Sequence, residues 1–191
     1  MSAPAIRPDD ALVIVDVQHD FMPGGVLGVA EGERIIAPIE ALAGRFPRVY
    51  ATRDWHPPGH SSFAEQGGPW PVHCVAGSHG AQLDARIARL PIDRIVDKGV
   101  DRQTDGYSAF SGTDLADDLR RHGVRRVFFC GLATDYCVRA SALDAKREGF
   151  EAIVIPDASA AVKLEPGDER RALEDLETSG VALVASGEIG R

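Results

Sequence analysis

The chain has 191 residues, 44% of them apolar, an ordinary globular composition that is most economically one domain, 1–191, with a sizeable core. A formal charge of −8 argues against nucleic acid or an anionic membrane as the main partner, and no apolar run is long enough to span a bilayer or act as a secretory signal. Three cysteines, odd in number and widely spaced, do not form a disulfide framework, so a reduced cytoplasm is the simplest setting.

In chain order, ALVIVDV (Ala11–Val17) is the near-continuous apolar run of a parallel strand covered on both faces. Glu31–Arg45 predicts a helix that Pro38 kinks or shortens. A second strand, RVYAT (Arg48–Thr52), leads straight into R-D-W-H-P-P-G-H (Arg53–His60). The Gly/Pro-rich stretch Trp55–Gly80 then has a length that usually serves function in a compact domain. Next come a helix at Ala81–Leu90, a strand at Arg94–Lys98, a helix at Thr113–His122 and a strand at Val124–Cys130. A helix at Asp135–Glu148, a strand at Phe150–Ile155, a helix at Asp168–Thr178 and a strand at Val181–Ser186 complete the pattern. This alternation predicts an α/β fold: a doubly wound, mainly parallel six-stranded sheet with helices on both faces.

In such sheets ligands bind outside the carboxyl ends of the strands. The polar residues expected there are Asp16, then Asp54 and His56, then Lys98, then the stretch G-L-A-T-D-Y-C-V-R that carries Cys137. With Thr134 as N-cap, Cys137 falls in a first helical turn, where unpaired N–H groups and the positive end of the helix favour a thiolate. Cys137 is therefore a candidate nucleophile; its alternative reading is a small core hydrophobe. Cys130, inside the run FFC, reads as core, and Cys74 as a bystander or a ligand beside His73. Asp16 is costly to bury without a partner, and reads either as an acid/base for the thiol or as a turn cap or ion-pair partner. Lys98 is either a solvated strand-end charge or a cation supporting Asp16 and the thiolate.

Five stretches, D-V-Q-H-D-F (Asp16–Phe21), R-D-W-H-P-P-G-H-S-S-F (Arg53–Phe63), W-P-V-H-C-V (Trp70–Val75), V-D-K-G (Val96–Gly99) and G-L-A-T-D-Y-C-V-R (Gly131–Arg139), stand in the order of a known family. The chain resembles the isochorismatase-like cysteine hydrolases, and within them the nicotinamidase branch, over Ala11–Ala160. The resemblance implies a catalytic triad of Asp16, Lys98 and Cys137, a cis peptide between Leu132 and Ala133, and an oxyanion site at the Ala133 and Cys137 N–H groups. It also implies a divalent metal (zinc, iron or manganese) on Asp54, His56 and His73. The spacing suits this, since residues two apart on an extended segment share a side and N/O donors suit those metals. The fourth metal ligand stays open among His60, Glu65 and water, and His60 also reads as a turn cap. Phe21, Trp70, Tyr107 and Tyr136 are candidates to sandwich an aromatic ring, each with ordinary packing as its alternative. His19 departs from the family, which more often has Asn there.

The function so implied is hydrolysis of nicotinamide, and of pyrazinamide, to the acid and ammonia through a cysteine thioester, in NAD salvage. The partner is then a small pyridine carboxamide, with homo-oligomerisation left open. Three other readings are a superfamily amidase for a non-aromatic amide or ureide, a hydrolase whose metal activates water, and a metal-dependent binding domain without activity.

Overall fold

The structure is a computed structural model and describes residues 4–190. Six strands form one sheet in the order β3-β2-β1-β4-β5-β6, with every neighbouring pair parallel. The strands are β1 (Asp10–Val15), β2 (Val49–Asp54), β3 (Arg94–Lys98), β4 (Arg126–Leu132), β5 (Glu151–Ala160) and β6 (Ala182–Leu183). The helices are α1 (Ile36–Ala43), α2 (Leu115–Arg121), α3 (Arg139–Arg147) and α4 (Asp168–Thr178). The expected doubly wound fold is the observed one.

Alternation along the central strands builds two cores. Leu12 and Ile14 of β1 join Phe128 and Cys130 of β4 beneath Ile36, Ile39 and Leu42 of α1. Ala11, Val13 and Val15 join Val127 and Phe129 on the other face, against Leu115 and Leu119 of α2, Ala142 and Ala145 of α3 and Leu176 of α4. Both faces of β1 are covered, which explains its unbroken apolar run. Among the described residues no helix is long and apolar enough to cross a membrane.

β5 runs on to Ala160 and β6 covers only Ala182–Leu183, and three further departures from the expected elements have a clear physical cause. Residues 81–90 carry only a short 3-10 turn, Ile87–Arg89, because tertiary bonds claim the rest. Leu83 bridges to Gln18, the Asp84 N–H donates to the Val17 carbonyl, and the Asp84 carboxylate accepts from the Arg86 N–H. The segment at Glu31–Arg45 splits into a 3-10 turn (Gly32–Ile35) and α1, with Pro38 in the first turn of α1, where its missing N–H costs nothing. Thr134 is not an N-cap: Ala133 holds that position in extended conformation, and Thr134–Val138 form one π-helical turn before α3. The Thr134 hydroxyl is buried without a partner.

Candidate active site

The strand order reverses between β1 and β4, so the crevice of a doubly wound fold opens at their carboxyl ends. Parallel register sets the polar residues side by side there. Asp54, the last residue of β2, pairs with Lys98, the last of β3, and Asp16 follows directly on β1. Asp16 takes a left-handed φ of 48° while its N–H reaches the Thr52 carbonyl at 3.2 Å. On β4, Gly131 has φ 110°, and a Cβ there would lie 2.1 Å from the Val15 carbonyl oxygen; glycine alone lets β1 and β4 close at this point. The peptide Leu132–Ala133 is cis, as expected.

Lys98 is fully buried and holds the centre. Its ammonium donates to Asp54 Oδ1 at 2.5 Å, to the Gly106 carbonyl at 2.7 Å and to Cys137 Sγ at 3.5 Å. Asp16 Oδ2 lies 2.7 Å from Nζ in a fully buried ion pair. Oδ1 of the same carboxylate accepts from Thr52 Oγ1 at 2.6 Å. Asp16, Asp54 and Cys137 bring ligand-type atoms within 4.8 Å of one another, but the ammonium already occupies their midst.

The titration of these groups follows from that packing. Burial pushes the Asp16 carboxyl up to about 6, against the pull of Lys98. Burial also acts to raise Asp54, but Lys98 and His56 outweigh it and hold the carboxyl well below its ordinary range. The Lys98 ammonium is held well above its usual value: burial opposes the charge, and the two carboxylates more than restore it. The Cys137 thiol goes the other way from the expected thiolate. Burial, with Asp16 and Asp54 behind it, pushes it well up despite Lys98, so the resting group is a neutral thiol that needs a base.

On the solvent side of Asp54, the ligand atoms of Asp54, His56 and His73 lie within 4.8 Å of one another, all buried. The chain between is drawn in by a bridge from His56 to Val75, with the His56 N–H on the Cys74 carbonyl at 3.0 Å. His56 Nδ1 bonds the Gly99 carbonyl at 2.9 Å and His73 Nδ1 the Pro71 carbonyl at 2.7 Å. Carbonyls only accept, so both rings carry the hydrogen on Nδ1 and turn an Nε2 lone pair to the cluster. Gly99 has to be bare here, since a Cβ would sit 2.5 Å from the His56 ring. Burial also holds His73 below its ordinary pKa, in the neutral form that ligates. Two imidazole nitrogens and a carboxylate oxygen fit a divalent transition metal.

His60 stands apart from the set. It stacks on His56 at 4.0 Å, and its Nδ1 accepts the Ser62 N–H at 3.2 Å. The neutral ring, favoured by a pKa driven down by burial to about 4, therefore carries its hydrogen on Nε2, which is buried without a partner. Glu65 is exposed on the 3-10 turn Ala64–Gln66.

Above Cys137 and the histidines opens a cavity of about 270 Å³. All four expected aromatics, Phe21, Trp70, Tyr107 and Tyr136, line it. Trp70 Nε1 donates to the Tyr107 hydroxyl at 2.9 Å, and the Tyr136 ring meets Trp70 edge-on at 5.2 Å. His19 lies outside this cavity and stacks on His79 at 4.1 Å in a separate polar cleft, so the departure there leaves the cavity wall untouched.

Sequence reasoning assigned no role to Gln18, Thr52 or Gly106. Gln18 is fully buried; its Oε1 accepts the Asp54 N–H at 2.8 Å, and its Nε2 donates to the Asp54 and Ala81 carbonyls at 2.8 and 2.9 Å. The only signal was its position two residues after Asp16.

The profile of the isochorismatase domain matches residues 10–188. The chain belongs to the isochorismatase family. Among family members of known activity, the nicotinamidase of Escherichia coli K12 is 36% identical over 92% of this chain and 94% of its own. A zinc complex of the Pyrococcus horikoshii pyrazinamidase is 47% identical, covers 93% of this chain and 99% of its own, and superposes with a TM-score of 0.87. PnC1 of L. infantum, solved with nicotinate, is 40% identical over 100% of this chain and 99% of its own, with a TM-score of 0.93.

Proposed function

We propose that this isochorismatase-family chain, residues 1–191 acting as one hydrolase domain, converts nicotinamide to nicotinate and ammonia, and accepts pyrazinamide. The observation that carries the reading is the state of Asp16: a buried carboxylate paired with Lys98 at 2.7 Å, in the same 4.8 Å cluster as a neutral thiol. That carboxylate takes the thiol proton as Cys137 Sγ attacks the carboxamide carbon. Lys98 stabilises the thiolate as it forms and keeps Asp16 from being protonated at rest. The N–H groups of Ala133 and Cys137 receive the oxyanion, and Asp16 returns the proton to departing ammonia. Water, deprotonated by the same carboxylate, then cleaves the thioester and frees Cys137.

Phe21, Trp70, Tyr107 and Tyr136 hold the ring. Asp54, His56 and His73 hold the metal, with zinc favoured by the donor set and by the Pyrococcus relative solved with it. When bound, the metal supplies a Lewis-acid contact for the pyridine nitrogen and orients the ring. His60 supports His56 by stacking, without ligating. The three described cysteines are free and buried, which suits a reduced cytoplasmic setting.

The deciding experiment is ammonia release from nicotinamide by metal-replete wild type and Cys137→Ala. Turnover by the first and loss of at least a thousandfold in the second is expected. Equal rates would refute the thiol mechanism, and no turnover by wild type would refute the substrate. Benzamide, lacking the ring nitrogen, should be a poor substrate.

A further inference from the structure

The proposed reaction begins with a neutral amide and ends with an anion, so charge around the cavity bears on which of the two it holds. Among the described residues no lysine or arginine side chain lines it, so the cation at its wall would be the metal on buried Asp54, His56 and His73, away from the mouth. Lys98 lies behind the wall, bonded to Asp54, Gly106 and Cys137. Of the two cations nearest the rim in sequence, Arg102 bonds the Pro58 carbonyl at 2.8 Å and keeps its charge, while Lys163 pairs with Glu31 and Glu169 at 3.1 and 2.8 Å. One carboxylate on the wall has no such partner. Asp105 lines the cavity, is exposed, and forms no ion pair among the described residues. Its Oδ1 accepts the Tyr107 N–H at 3.2 Å, which ties the group to the aromatic wall. Cys137 at the buried end and exposed Asp105, Val26 and Leu164 at the solvent end give the cavity a depth axis, with the charge at its mouth.

We infer that Asp105 is a specificity-determining residue that makes the cavity discriminate against anions, disfavouring carboxylate-bearing ligands and speeding release of the carboxylate product. An unpaired charge at the mouth acts on any anion that passes it, weakened but not abolished by solvent screening. The neutral carboxamide has no net charge for it to act on. The acid product does.

The inference extends the proposed function, and the test has one arm that does not depend on it. Cys137 is alkylated with iodoacetamide, which is neutral, and with iodoacetate, which is anionic, and the modified site is confirmed by mass spectrometry. The ratio of iodoacetate to iodoacetamide rate constants should rise roughly 3- to 10-fold in Asp105→Asn and further in Asp105→Lys, the range for one partly screened charge. Asp105→Glu should restore the wild-type ratio, and high salt should narrow the differences. A ratio equal in wild type, Asn and Lys proteins would overturn the inference, as would a change that salt leaves untouched. In the second arm the inhibition constant of nicotinate, divided by the KM of nicotinamide, should fall in the same order of variants. Wild-type protein that fails to turn over nicotinamide refutes the proposed function alone, because the alkylation ratio still decides the role of Asp105.

Discussion

Replacing Lys98 by methionine keeps the stem and removes the charge, leaving Asp16 and Asp54 buried together without their cation. The ammonium stands 2.7 Å from Asp16 and 2.5 Å from Asp54, each pair giving about 6 kcal/mol of gross attraction at an effective dielectric of about 20. Desolvation of the ammonium offsets most of that, and stranding a buried partner costs about 3–5 kcal/mol net. Lys98→Met in EDTA-treated protein should therefore lose about 3–5 kcal/mol of unfolding free energy at pH 7.5, read by urea denaturation. The pH dependence has a definite sign. Asp16 already titrates in the native wild type at about 6, raised from 3.8, and losing Lys98 raises it further. A carboxyl with a raised native pKa favours the folded state only while protonated, so the deficit of the variant should shrink as pH falls toward 5. A loss under about 1 kcal/mol, the scale of an exposed pair, would refute the central role given to Lys98. So would a deficit that stays constant with pH. Iodoacetamide labelling of Cys137 should slow in the same variant, since its thiolate loses the one nearby cation.

Asp16→Asn, nearly isosteric, should keep the fold by circular dichroism and lose turnover by at least about a hundredfold, the contribution of a positioned base. In wild type, kcat/KM should rise with pH along a limb centred near 6, the native pKa of Asp16, and fall about tenfold per unit below it. His56→Ala should lose bound metal by elemental analysis and most nicotinamide turnover, while Cys137 is alkylated at close to the wild-type rate, because the metal's role is orientation. Gln18→Ala strips partners from the Asp54 N–H and the Asp54 and Ala81 carbonyls, so it should cost about 3 kcal/mol in urea and 10- to 100-fold in metal affinity.

How far the sequence could be read depended on whether a residue's role was local. The central strands were legible because β1 and β4 are covered on both faces and read as unbroken apolar runs. The positions of Asp16, Asp54, Lys98 and Cys137 were legible because the ends of parallel strands share an edge whatever the loops do. The helix expected at Ala81–Leu90 failed since Leu83 and Asp84 are held by the end of β1, sixty-odd residues away, which no local periodicity reports. Gln18 escaped notice for the same reason: its partners are backbone groups of Asp54 on β2 and of Ala81, both far off in sequence. The direction of the Cys137 shift was not legible, because the helix start and Lys98 favour a thiolate whereas burial and two carboxylates outweigh them.

The residue at the centre of this site hangs from the rim of the sheet. Lys98 ends β3, a five-residue edge strand that, among the described residues, pairs with β2 alone. Edge strands fray at lower free energy than central ones. Warming the protein should thus detach β3 in excursions too small to alter bulk helicity, and each would strand the two carboxylates. Enzyme activity would then fade at temperatures where far-ultraviolet dichroism is still flat, and return on cooling. The temperature range over which this enzyme works would be set by five residues at its margin, and fastening that strand would widen it.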